Sequence, residues 1–317
     1  MRTVGAPRSV LVVGAGFLGA NIARGFVRRG VATTVLSRNA RRDPTAARVA
    51  GASTVAGDAN DLETLRAALA DSEHVVWAAG GLMPAESNER PVDDVIATLP
   101  PLLLMLNLLA VRGDGALTFL SSGGTVYGNP TVLPVPEHHL HQPLSSHGVG
   151  KVASELYLSL YAQVHGVDTM ALRCANVYGE GQQPHRSQGV VATALACVAR
   201  GEPVPLFDEG SAIRDFIHVD DVVEVVCTLA GRLNRPTAVN VGSGIGTSVA
   251  SLLEIIAEVT GRPVITTPRP TRLGDVRSVV LDITLLRSLM AFTPLSLPEG
   301  LARTWYGFEG ASQLTAQ

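Results

Sequence analysis

The sequence predicts an α/β fold, a doubly wound parallel sheet with a smaller lobe woven into its C-terminal strands. Three observations carry that expectation. Short β-branched runs recur along roughly the first half of the chain, helical patterns separate most of them, and the first run ends in a glycine-rich turn. Strands alternating with helices pair in parallel through right-handed crossovers, which covers both faces of a sheet with helices.

The opening run, SVLVVG at residues 9–14, reads as a strand closed by a tight turn, with a helical pattern following at residues 21–29. Further strands are expected at residues 32–37, 53–56, 74–79, 116–121, 168–174 and 238–241. After Arg173 the rhythm loosens into Gly/Pro-punctuated stretches, with helices near residues 189–200 and 248–260 and a Pro-rich segment at 262–270. Residues 1–175, completed by about 213–242, therefore read as the first domain, and residues 176–212 with 243–317 as the smaller lobe. The residues after 310 are expected to fray.

A chain of 317 residues can bury a substantial core without disulfides. Cys174, Cys197 and Cys227 lie far apart without metal-ligand spacing, which suits a reducing compartment and apolar packing. Twenty-five basic against 28 acidic residues leave a net charge of -3, and no basic block exists to follow a nucleic-acid backbone. The apolar run at residues 102–109 is interrupted by Asn107 and falls well short of the ~20 residues a bilayer needs. With no cationic, apolar leader in front of the first strand, no membrane association and a cytoplasmic location are expected. Every basic residue is an arginine except Lys151. A guanidinium cannot replace an ammonium where a compact point charge is needed, so Lys151 is a candidate functional position.

The turn after the first strand is GAGFLG, residues 14–19. In G-x-G-x-x-G the first glycine, Gly14, permits the tight turn. Gly16 admits a pyrophosphate close to the backbone, and Gly19 lets helix and strand pack closely. The amides of the helix start, with Phe17 and Leu18, then face the phosphates of a dinucleotide in a Rossmann arrangement. The second strand ends VLSR, residues 35–38, without the carboxylate that would bind a free ribose 2′-hydroxyl. Ser37 and Arg38 instead suit a 2′-phosphate, so NADP(H) is favoured over NAD(H), the alternative being that Arg38 is merely solvated. Asp58, in AGDA after the third strand, either meets the adenine or caps the next helix. Ala78 and Ala79, ending the fourth strand, complete the expected cofactor set.

Three later segments resemble the extended short-chain dehydrogenases, the family of nucleotide-sugar epimerases, dehydratases and ketoreductases. They are LSSGGTVYG at residues 120–128, LRCANVYG at 172–179 and RDFIHVDD at 214–221. With the glycine loop they span residues 9–310 in the family's order. The resemblance implies a nicotinamide cofactor on the sheet's C-terminal edge and a nucleoside diphosphate sugar gripped by the smaller lobe. By position, Asn176, Arg214 and Arg272 would hold the diphosphate, while Gln188, Val190 and Val191 would flank the nucleotide. Paired guanidinium donors fit phosphate oxygens, although Arg214 could instead bridge to Asp215 or Asp220. The family also implies a homodimer through helices near residues 94–110 and 151–161.

The catalytic segment departs from the family. Tyr-x-x-x-Lys becomes SSHGVGK at residues 145–151, with Lys151 kept and His147 where the tyrosine belongs. The usual Ser/Thr aligns with Gly123, leaving Ser122 and Thr125 as nearby hydroxyls, and the customary helix asparagine has no clear counterpart at residues 98–106. An imidazole still passes protons near neutral pH, but burial and the Lys151 cation both depress its pKa, making His147 a better base than acid. The alternatives are a structural filler or a donor elsewhere, such as Tyr127. His138, His139 and His141 sit in a Pro-bounded loop without a completing carboxylate pattern, so they read as surface rather than metal ligands. His218, within the RDFIHVDD strand, reads as packed.

The reading placed first is an NADPH-dependent ketoreductase of a nucleotide-activated keto-hexose. A UDP-sugar 4-epimerase with retained NAD follows, and a cofactor-binding, non-catalytic homologue represents a different class.

Overall fold

The computed structural model describes residues 5, 7–38, 40, 49–184, 189–232, 234–270 and 276–314, except the side chains of 308–314. In chain order the elements begin β1 (Ser9–Val13), α1 (Phe17–Arg28), β2 (Ala32–Ser37), β3 (Ser53–Ala56), α2 (Leu62–Leu69), β4 (His74–Trp77), α3 (Pro84–Glu89), α4 (Pro91–Arg112) and β5 (Ala116–Ser122). They continue with α5 (Gly123–Val126), α6 (Ser146–His165), β6 (Asp168–Cys174), β7 (Asn176–Tyr178), α7 (Val190–Arg200), β8 (Val204–Phe207), β9 (Ile213–His218) and α8 (Val219–Ala230). The last are β10 (Ala238–Val241), β11 (Gly246–Ser248), α9 (Val249–Thr260), β12 (Thr266–Arg269), β13 (Ser278–Val279), α10 (Thr284–Leu289) and α11 (Leu297–Leu314).

Seven strands form one sheet in the order β10-β6-β5-β4-β1-β2-β3. β1 pairs in parallel with β2 and β4, as do β2 with β3 and β4 with β5. The strand order reverses direction at β1, the switch point beside which such sheets bind ligands. The doubly wound expectation holds, and the strands expected at residues 32–37, 53–56, 168–174 and 238–241 match β2, β3, β6 and β10.

The chain divides into two compact units. Unit 1 comprises residues 1–122, 145–173 and 222–239, and unit 2 comprises residues 123–144, 174–221 and 240–317. The core of unit 1 packs Leu11, Val75 and Phe119 of the sheet against Leu102, Met105 and Leu106 of α4. Among the described residues, α4 is the one helix long and apolar enough to cross a membrane. It serves as a core helix here, burying those leucines together with Asp94 and Thr98. Its extent agrees with the helix expected near residues 94–110, although Pro100 and Pro101 lie inside it. α6 packs beside it, with the Tyr161 hydroxyl donating to Asn107 Oδ1 at 2.6 Å.

Unit 2 holds two small sheets. β9 pairs with β11, β13 and β7, and β12 pairs with β8. The stretch expected to complete the first domain at residues 213–242 is therefore split. β9 belongs to unit 2, residues 222–239 belong to unit 1, and residues 123–144 also fall in unit 2. The core of unit 2 joins Leu195, Phe216, Leu252, Ile256, Leu301 and Trp305. Cys174, Cys197 and Cys227 are buried and form no disulfide.

Candidate active site

The loop between β1 and α1 owes its shape to two of its three glycines. Gly14 has φ 101°, a conformation costly for any residue with a Cβ, and a Cβ there would stand 2.8 Å from the Ala79 nitrogen. A Cβ on Gly19 would lie 1.9 Å from the Gly14 carbonyl oxygen. Gly16, the α1 N-cap, differs: a Cβ there would meet nothing within 4 Å. Its open side fits a ligand brought close to the backbone, at a helix start that carries neither a side-chain cap nor an acid in its first turn.

Beside this turn lies a cleft of about 240 Å³ whose walls include Gly14, Gly16, Ser37, Arg38, Asp58 and Ala79. Seven of the expected cofactor residues thus converge, since Ala78 lines it too. Phe17 and Leu18 are half-buried in the first turn of α1. Asp58 is not the cap of α2. Asp61 takes that position and accepts from Glu63 N, while Asp58 Oδ1 accepts from the backbone and side-chain nitrogens of Asn60 at 2.9 and 3.2 Å. A wider hollow of about 690 Å³ opens among Arg8, Asp71, Glu73, Arg112 and Asp114. Its charges pair internally, Arg8 with Glu73 and Arg112 with Asp114, and it lies where β1 begins, away from the glycine turn.

The second constellation of unit 1 is built on α6. Ser145 caps this helix, its hydroxyl accepting from Gly148 N at 3.1 Å, and the four-residue spacing puts His147 and Lys151 on one face. Lys151 is only 7% exposed. Its Nζ donates to the Leu120 carbonyl at 2.8 Å and lies 4.6 Å from the centre of the Phe119 ring, so the sole lysine points at the end of β5. His147 is half-buried. Its backbone N–H donates to Ser87 Oγ at 3.0 Å, and Nδ1 lies 3.1 Å from the Leu82 carbonyl oxygen. A carbonyl only accepts, so Nδ1 carries the hydrogen and Nε2 keeps a lone pair. Burial, then the Lys151 ammonium, push the imidazole down to about 4, opposed by Asp94 and the Leu82 hydrogen bond. His147 is thus neutral at pH 7 and equipped to accept a proton.

Ser122 ends β5 in unit 1, half-buried, and Thr125 lies in α5 within unit 2. Tyr127, the other donor considered, is fully buried and donates to Asn240 Oδ1 at 2.7 Å. His139 and His141 lie against its ring. His218 is buried edge-on to Tyr178.

Residues 10–242 match the model of the NAD dependent epimerase/dehydratase family. The chain belongs to that family.

A UDP-glucose 4-epimerase of Mycolicibacterium smegmatis is 35% identical over 237 residues, covering 72% of this chain and 74% of the relative. A dTDP-4-dehydro-6-deoxy-D-allose reductase of Streptomyces is 29% identical over 95% of this chain and 97% of its own. The crystal structure of a UDP-glucose 4-epimerase with UDP-glucose from Thermotoga maritima superposes with a TM-score of 0.90 at 32% identity, covering 96% of this chain and 99% of that one. Family membership makes this chain an NAD(P)-dependent enzyme of nucleotide-sugar chemistry.

In unit 2, Asn176 opens β7 and Arg214 lies on β9, with Arg214 Nη1 donating to the carbonyls of Ile213 and Arg277 at 2.9 and 3.2 Å. The Asp215 carboxylate accepts from Ser243 N, Ser243 Oγ, Gly244 N and Leu281 N, so it serves as an anchor for two loops. Val190 is half-buried, whereas Val191 is 2% exposed and packs in the core of the unit. Gln188 and Arg272 lie outside the described residues. Sequence reasoning passed over Asp94, a carboxylate beside His147. Its signal is an acid in the first turn of a helix that is otherwise largely apolar.

Proposed function

We propose that this chain is a nucleotide-sugar 4-epimerase that oxidises and re-reduces one sugar carbon while keeping its cofactor bound. The observation that carries the reading is the placement of His147, whose Nδ1 lies 3.1 Å from the Leu82 carbonyl oxygen and so leaves Nε2 as its acceptor atom. With a pKa of about 4, roughly one imidazole in a thousand is protonated at neutral pH. A reductase must draw a fresh proton from solvent in every turnover, which such a group supplies poorly. An epimerase takes the proton from the sugar hydroxyl and returns it to the same oxygen before release.

A nicotinamide cofactor at the glycine turn would supply the hydride acceptor and donor. Backbone amides at Gly16 and the start of α1 would hold its pyrophosphate, and Lys151 would orient the adjoining ribose. His147 Nε2 accepts the hydroxyl proton as the carbonyl forms and donates it back as the carbonyl is reduced on its other face. Ser122 and Thr125 are the hydroxyls available to steady the sugar oxygen, and the Asn176 carboxamide and Arg214 guanidinium are the groups that would bind the diphosphate. Exposed apolar side chains on α4 and α6, among them Ile96 at 54%, Leu156 at 65% and Val164 at 64%, support a homodimer through that face.

A second reading, the NADPH-dependent ketoreductase, is favoured by the end of β2, where Ser37 and Arg38 border the cleft and no carboxylate is present in that pair. Incubation with UDP-glucose in deuterated water separates the two. Epimerisation yields the C4 epimer without deuterium at C4 and without net cofactor consumption. Stoichiometric loss of NADPH with a keto-sugar nucleotide, and no epimer, would overturn the proposal in favour of the reductase.

A further inference from the structure

Asp94 is 1% exposed although it stands in the first turn of a helix, where acids usually meet water. Among the described residues no arginine or lysine forms an ion pair with it, so its burial is offset by hydrogen bonds alone. Oδ1 accepts from Leu82 N at 2.7 Å, and Ser146 Oγ lies 3.4 Å from Oδ2. Gly81 makes the room for it, since a Cβ there would stand 2.1 Å from Oδ1.

Leu82 links this acid to the imidazole. Its N–H is held by Asp94 and its carbonyl accepts Nδ1–H of His147, so one residue is gripped from α4 on one side and read by α6 on the other. Ser87 and Asn88 of α3 tighten the same junction, accepting from the backbone nitrogens of His147 and Ser146 at 3.0 and 2.8 Å. The charged groups acting on the imidazole are Lys151 from α6 and Asp94 from α4, of opposite sign.

We propose that Asp94 is a positioning residue for proton transfer: it holds Leu82 so that His147 keeps its hydrogen on Nδ1 and presents Nε2, and its charge counters that of Lys151. This rests on the reading of His147 as the proton-transfer residue. Asp94→Asn keeps an acceptor for Leu82 N–H and removes the charge, so it perturbs electrostatics with little change of shape. Asp94→Ala removes the tether as well.

The test is long-range ¹H–¹⁵N NMR of the histidine rings in the holoenzyme, with His147 assigned by its absence from His147→Phe. The wild type should show the Nδ1–H tautomer. Asp94→Asn should titrate His147 about one pH unit lower, and kcat should fall roughly tenfold with KM for the nucleotide sugar unchanged. Asp94→Ala should mix the tautomers. An Nε2–H tautomer in the wild type, which needs no variant to fold, overturns the proposal, as does an unchanged ring titration in Asp94→Asn. Failure of the underlying reading shows separately, as full turnover by His147→Phe.

Discussion

Arg173 grips Glu155 with both side chains almost out of water, Nε donating to Oε2 at 2.9 Å and Nη2 to the same oxygen at 2.6 Å. Ser121 Oγ donates to the other carboxylate oxygen, so the pair ties α6 to the ends of β5 and β6. Glu155 lies one helical turn beyond Lys151, whose ammonium reaches Leu120 on the same strand as Ser121. The network therefore fixes the bed on which Lys151 rests.

Breaking this pair from one side leaves a buried charge without its partner. Glu155→Leu should destabilise the protein by about 3–5 kcal/mol, while Glu155→Leu with Arg173→Met should recover much of that loss. Urea unfolding of the three proteins measures it. A double variant no more stable than the single would mean that the guanidinium is not stranded.

The glycine turn offers a contrast between folding and binding. Gly19→Ala drives a methyl to 1.9 Å from the Gly14 carbonyl oxygen, so it should lower both thermal stability and cofactor affinity. Gly16→Ala meets no protein atom within 4 Å and has an ordinary negative φ of -72°, so the unliganded fold should keep its melting temperature. Its methyl would occupy the space a pyrophosphate needs, and cofactor affinity should fall by at least tenfold, as calorimetric titration would show. Normal binding by Gly16→Ala would remove the turn from the cofactor site.

How far the sequence spoke depended on the range of the interactions. The glycine turn, the strand ends at Ser37 and Arg38 and the His147–Lys151 spacing are local patterns, and each is visible in a few consecutive residues. Asp94 acts on His147 from a different helix, through Leu82 and by its charge, and Glu155 meets Arg173 from a different element, so no local pattern reveals either. The mixed sheet around β9 was missed for another reason. β11 and β13 are three and two residues long, too short for an alternating pattern to register. The domain boundaries shifted likewise because β9 pairs with β7, β11 and β13, a choice made by distant partners.

A buried histidine gives the fold a pH dependence. His74 is 2% exposed, and Nε2 lies 2.9 Å from Thr118 Oγ1, which also accepts from Arg235 Nη1 at 2.8 Å. Burial, then the Arg235 charge, hold its pKa well below the usual value. The unfolded chain therefore binds the proton first, so this contribution is present above about pH 6.5 and is lost as pH falls below it. His74→Gln should be less stable than wild type at pH 7, and the gap should narrow towards pH 5. Raised carboxyls such as Asp215 act in the opposite sense but cancel in the difference between the two proteins. A gap independent of pH would mean that His74 binds its proton equally well in the folded and unfolded chain.

The outer face of α4 and α6 tests the homodimer. Leu156 and Ile96 are exposed at 65% and 54%, and a charge at either would disrupt an apolar interface while costing the monomer less than about 0.5 kcal/mol. Leu156→Arg should convert a dimer to a monomer in light scattering without changing the melting temperature of the dissociated chain. A wild type already monomeric at micromolar concentration would refute the interface.

Arg38 tests the choice between the two cofactors. It is exposed at the rim of the cleft beside buried Ser37, placed for an anion at the end of β2. If a 2′-phosphate binds there, its charge-assisted hydrogen bonds contribute about 1.5–3 kcal/mol, or roughly ten- to a hundredfold in affinity. Arg38→Asp replaces the cation by a carboxylate that repels the phosphate and accepts from a free 2′-hydroxyl, so preference should move from NADP(H) towards NAD(H). Dissociation constants for both forms, measured for wild type and variant, give the ratio directly. A wild type that already prefers NAD(H), with no change in Arg38→Asp, would leave Arg38 solvated and would remove the main support for a reductase, because the cofactor could then remain bound through many epimerisation cycles.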